Sequence, residues 1–184
     1  KPFEWQAAAL PANTRGLKTA KITPVEEDYM EVENKLKELG LELPAPRSQS
    51  VGNFIAAVTT GNLVFLSGHG PGLPEGGFLH LGKLGADVTI EQGYDCARLV
   101  MLNLLTSLKG EIGDLDRVSR IVKLLCMVNA APHFGPTPKV ANGASDLLIS
   151  LYGESGRHAR SAVGMSTLPG GMPVEIEMVV ELKA

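Results

Sequence analysis

Three groups of residues carry side chains able to do chemistry. Arg157, His158 and Arg160 cluster just before or at the start of a strand-like run, about 160–166. A guanidinium is a planar fork of N–H donors that matches the two oxygens of a carboxylate. An arginine aimed at a small acid is therefore the first chemistry this cluster suggests. Glu175 and Glu177 lie in the last strand-like run, about 173–182, on what reads as the neighbouring strand. A carboxylate beside a bound substrate can activate water as a general base. The plainer alternative is an Arg–Glu salt bridge on a solvated face, where ion pairs contribute little. The third group is Ser67-Gly68-His69-Gly70-Pro71-Gly72, similar to an anion-binding loop because glycines let backbone N–H groups approach a ligand. It lacks the Gly-Lys-Ser/Thr ending of a P-loop, and a tight turn leaving a strand is its plainer reading.

Other chemistries find little support. Ser67 is not in a Gly-x-Ser-x-Gly elbow. His69, His80, His133 and His158 offer no pair at helical metal-ligand spacing, and Asp114 and Asp116 flank a turn without further acids. No metal and no cofactor are expected. Cys96 and Cys126 sit in apolar runs with no Cys-x-x-Cys, so they read as buried thiols.

The elements that must position these residues follow from periodicity. Thr23-Pro24-Val25-Glu26 makes a capping box, and Val25, Tyr29, Val32, Leu36 and Leu39 continue at helical spacing to Gly40. Pro44 and Pro46 form a connector. Residues 54–59 and 63–67 predict a hairpin around Gly61-Asn62. Thr89-Ile90-Glu91-Gln92 starts a second helix with an apolar stripe from Ile90 to Leu108, closed by Gly110 and Gly113. Val118 to Val128 reads as a buried strand, and about 138–152 as a helix. In the last strand Val174, Ile176, Met178 and Val180 alternate with polar positions. This order predicts an α+β two-layer sandwich with helices on one face of the sheet. The expected division is an N-terminal extension over 1–22, a helix and connector over 23–47, and the main domain over 48–184.

The 184 residues, 44% hydrophobic and 20% charged, suit one globular domain with a sizeable core. No apolar run reaches the roughly 18 residues a membrane helix needs. A net charge of -3 lacks the basic footprint of nucleic-acid binders. Residues 1–21 carry Lys1, Arg15, Lys18 and Lys21 against Glu4, and the first residue is not Met. That bias fits the mature end of an organelle-imported protein, so cytoplasm or mitochondrial matrix is the expected compartment.

Leu63-Val64-Phe65-Leu66-Ser67-Gly68, then Ala159-Arg160-Ser161-Ala162-Val163, then Leu168-Pro169 with Val174-Glu175-Ile176-Glu177, resemble the signature of the Rid (reactive intermediate deaminase) family, often labelled endoribonuclease L-PSP. The resemblance covers about residues 48–182. Asn142-Gly143-Ala144-Ser145-Asp146 and Gly156-Arg157-His158-Ala159-Arg160 resemble a divergent branch of it. It implies a chorismate-mutase-like fold with a mixed sheet, and a homotrimer whose sheets form a barrel with clefts between subunits. It also implies hydrolysis of enamine or imine acids such as 2-aminoacrylate to keto acids and ammonia. On this resemblance Arg160 anchors the substrate carboxylate and Glu175 positions water. Ser67 and Gly68 line the cleft, Ala162 offers a backbone N–H, and Phe54 and Asn142 complete the substrate contacts. Phe54 replaces a family tyrosine and Ala162 a family cysteine. A second reading is therefore a non-catalytic trimeric ligand binder or an accessory subunit of a larger assembly reached through residues 1–22. Ribonuclease activity is disfavoured by the acidic charge and the lack of an acid–base histidine pair.

Overall fold

The computed structural model describes residues 31–46 and 53–184. Five strands form one mixed sheet: β1 (Ala57–Thr60), β2 (Leu63–His69), β3 (Val118–Asn129), β4 (Ala159–Met165) and β5 (Val174–Leu182). Their order is β1-β2-β5-β3-β4, antiparallel except for the parallel pair β3/β4. A parallel pair needs a crossover, and helix α3 (Thr137–Tyr152) supplies it. The expected α+β two-layer architecture with a mixed sheet is what the chain forms.

Alternation explains which face is covered. Leu124, Cys126 and Val128 of β3, and Val174, Ile176, Met178 and Val180 of β5, are buried under α2 (Ile90–Ile112) and α3. Helix α2 begins with the expected capping box. Gln92 N donates to Thr89 Oγ1 at 3.2 Å, and Thr89 N donates to Gln92 Oε1 at 2.9 Å. It ends at Gly113, where φ is 83° and the amide donates to Lys109 O. Gly110 lies inside the helix rather than ending it. Helices α2 and α3 meet backbone to backbone at Gly143, where a Cβ would overlap the carbonyl oxygen of Tyr94.

The described part of the first helix, α1 (Glu31–Glu38), buries Val32 and Leu36 in the same core. The Asp116 carboxylate accepts from the amides of Glu31 and Val32 at 2.7 and 3.0 Å. The expected cap at Thr23, and all of 1–22, lie outside the described residues. In the hairpin, β1 begins at Ala57 rather than residue 54, while β2 runs on to His69 through a bulge after Leu66. The segment before β1 still contacts β2, because Ser67 N donates to Ala56 O at 2.9 Å.

On the other face of the sheet, Val58, Phe65, Val163 and Met165 are 48%, 45%, 41% and 37% exposed. No described helix covers them. Cys96 and Cys126 are buried as expected, and desolvation pushes each thiol up to about 12, which keeps both protonated. Among the described residues no helix is long and apolar enough to cross a membrane, and no cluster of His, Cys, Asp and Glu could hold a metal.

Candidate functional site

Arg160 is paired in register with Leu124 of β3, a residue of the helix-covered face. Its side chain accordingly reaches α3. Nη1 donates to Ser145 Oγ at 2.8 Å and to Asn142 Oδ1 at 3.0 Å. Asn142 and Ser145 are three residues apart, one helical turn, and so share a face of α3. Both oxygens are neutral. Among the described residues Arg160 forms no ion pair with a carboxylate. A half-buried guanidinium without a counter-ion keeps most of its charge available to an incoming anion. Ala162, two residues along β4, points to the same face and packs against the core, while its carbonyl accepts from Thr137 Oγ1 at 2.9 Å.

Glu175 belongs to the other face. It is paired in register with Met127, between the buried positions Val174 and Ile176. Its carboxylate lies against Gly68, where any Cβ would overlap Oε1. That close approach gives Gly68 its reason. Burial, and next the neighbouring Glu177 carboxylate, raise the Glu175 pKa above the usual carboxylate value. Ser67 is next to this pair, but its hydroxyl donates to Ile55 O at 2.7 Å. Phe54, 52% exposed, leads into the same edge of the sheet.

The structure thus divides the expected site residues into two groups: Arg160, Asn142 and Ala162 on one face, Glu175, Gly68, Ser67 and Phe54 on the other. Arg160 and Glu175 are not on paired strands, because β3 runs between β4 and β5. Their register partners on β3 are three residues apart, about 10 Å, and two strand spacings, about another 10 Å, separate them across the sheet. The expected Arg160–Glu175 pairing, as salt bridge or as shared cleft, is therefore absent within one chain. The glycine loop is tied to its own chain. The carbonyls of Gly70 and Gly72 accept from Asn103 Nδ2, both at 3.1 Å, and a carboxylate already lies over Gly68.

Two residues of the Arg160 group received no role from the sequence: His158, clustered there with Arg160, and Ser145. His158 Nε2 is 3.0 Å from Ser145 Oγ, and His158 Nδ1 is 2.7 Å from Gly156 O. The signal was present: His158 precedes Arg160 by two, which in extended chain puts both on one face, and Ser145 follows Asn142 by three.

This fold and its residues match a known class. Residues 33–182 fit the family described as "YjgF/chorismate mutase-like, putative endoribonuclease", and the chain belongs to that family. It is 43% identical over 148 residues to protein TCP17 of Trypanosoma cruzi, covering 80% of this chain and 91% of that protein. A solved structure from Agrobacterium tumefaciens is 37% identical with a TM-score of 0.76, covering 84% of this chain and 93% of the other. One from Shewanella oneidensis is 35% identical with a TM-score of 0.78, covering 82% and 99%. The family expected from the motifs is the family found.

Proposed function

We propose that the chain is an oligomeric binder of small carboxylic acids that hydrolyses reactive enamine or imine acids to keto acids and ammonia. The observation that carries this reading is the guanidinium of Arg160, held by two neutral oxygens with no carboxylate partner among the described residues. A substrate carboxylate completes it. The enamine tautomerises to the imine, water adds to the imine carbon with its proton passing to the nitrogen, and the carbinolamine gives up its hydroxyl proton as the carbonyl forms, the carbon–nitrogen bond breaks and ammonia leaves. Glu175 acts as the base for that water, supported by its half-buried carboxyl with a raised pKa.

The two groups lie on opposite faces, so one site takes Arg160 from one copy and Glu175 from another. The apolar open face around Phe65 and Val163 supports such an assembly, since exposed apolar patches of this kind mark contact surfaces. A homotrimer with sheets facing a common axis fits this reading. The division into an extension, a helix with connector and a main domain remains part of the proposal.

Calorimetric titration of pyruvate or 2-ketobutyrate tests the anchor. Arg160→Lys keeps the charge but loses the fork, and affinity falls by about 1.5–3 kcal/mol. Equal affinity in both proteins overturns the assignment. One observation favours a binder without turnover: the Ser67 hydroxyl is committed to Ile55 O, and the side chains of Phe54 and Ala162 carry no group that donates a proton. Keto-acid binding without acceleration of 2-aminoacrylate hydrolysis decides for that second reading.

A further inference from the structure

The Ser145–His158 pair has a fixed direction. A carbonyl oxygen only accepts, so the 2.7 Å contact with Gly156 O places a proton on His158 Nδ1. In the neutral ring Nε2 then accepts, and the Ser145 hydroxyl donates to it at 3.0 Å. The serine oxygen turns its lone pairs to Arg160, which donates at 2.8 Å. Donation therefore runs one way, from guanidinium to serine to imidazole to the Gly156 carbonyl. Ser145 is 8% exposed, so solvent competes little for its hydroxyl.

Adding a proton to His158 reverses the Nε2 contact and sets a second positive charge within about 6 Å of the guanidinium. Two cations at that distance oppose each other unless an anion is present. We propose that His158 is a positioning residue for Arg160, and that a carboxylate taken by Arg160 draws a proton onto His158 through this arrangement. The inference rests on the reading of Arg160 as a carboxylate anchor. Among the described residues, the other charged groups around His158 are few. Arg157 is paired with Glu154 at 2.9 Å, Asp146 of α3 accepts from Tyr94 of α2, and Lys123 of β3 is opposite Ala159 on the other face. Burial lowers the His158 pKa most, the Gly156 bond opposes that, and Arg160 lowers it further. The ring is thus neutral near pH 7 in the free protein, as the one-way chain requires.

The test follows the His158 ring signal by NMR against pH in the full chain, with and without saturating pyruvate. Pyruvate raises the His158 midpoint, and pyruvate affinity grows as pH falls from about 8 to 5.5. A rise of about one unit corresponds to at most about tenfold in affinity. Arg160→Gln raises the midpoint without any ligand. His158→Gln keeps an acceptor at the Nε2 position but no titrating ring, so the pH slope of pyruvate affinity disappears whatever the affinity at pH 8. A merely structural histidine would leave that slope in place. Pyruvate that binds through Arg160 but leaves the His158 midpoint unmoved sustains the carboxylate site and overturns the coupling. No pyruvate binding at any pH overturns both. A wild-type pH slope in His158→Gln also overturns the coupling.

Discussion

Glu175 is where burial and chemistry pull against each other. Its carboxylate is half-buried over Gly68 beside a like charge, and its pKa is raised from 4.5. In the proposed reaction Glu175 is the base and must be ionised, so turnover is expected to rise with pH through a midpoint above 4.5, and Glu175→Gln to abolish that limb while sparing pyruvate binding. Stability has the opposite sign. A carboxyl whose folded pKa is raised holds its proton more tightly when folded, so its favourable contribution is lost as pH rises through the folded value. Glu175→Gln therefore raises the melting temperature at pH 7 and leaves it unchanged near pH 3.5. Melting curves at the two pH values check this, and an equal effect at both contradicts it. Gly68→Ala tests the same contact from the other side: its Cβ must displace the carboxylate, so activity falls even where the fold survives.

At the scale of elements, two helical glycines without positive φ but with different surroundings, Gly143 and Gly110, make a paired prediction. Gly143 faces the Tyr94 carbonyl, so Gly143→Ala forces α2 and α3 apart and costs about 1–3 kcal/mol. Gly110 lies in α2 with open space at its Cβ position, so Gly110→Ala stabilises by about 0.4–1 kcal/mol. Urea denaturation of both variants measures the contrast. Elements of this kind were legible in the sequence. The Thr89–Gln92 box, the α2 stripe and the alternation in β5 each reflect a local rule of period or capping. Which strands become neighbours was not legible. The place of β5 between β2 and β3 depends on contacts distant in sequence, so Arg160 and Glu175 read as adjacent although β3 separates them. The bulge after Leu66 was hidden as well, because a slip in register is set by the partner strand. The meeting of Ser145 with Arg160 and His158 was not legible either, because it depends on α3 lying over β4.

For the whole molecule, the decisive feature is a sheet with one face packed and the other open, where exposed apolar side chains lie beside Glu175 and Glu177. Val58, Phe65, Val163 and Met165 share that open face. Covering it by other copies removes apolar surface from water at about 25 cal/mol per Å². Phe65→Glu places a charge there, so light scattering at micromolar concentration gives a trimer for the wild type and a smaller species for the variant. The same far-ultraviolet circular dichroism in both would show that each copy keeps its fold. A wild-type monomer overturns the trimer.

On the proposed reading, the separation of Arg160 from Glu175 also makes the catalytic unit something a population of chains possesses rather than any one of them. Two variants expected to be inactive, Arg160→Ala and Glu175→Gln, each retain the half that the other lacks. Co-refolded in equal amounts into rings of three, they assemble at random. Each mixed ring holds one junction with an intact arginine facing an intact glutamate, so about a quarter of wild-type activity returns from two dead parents. Activity that stays at the level of the separate variants would mean that the halves never meet across subunits.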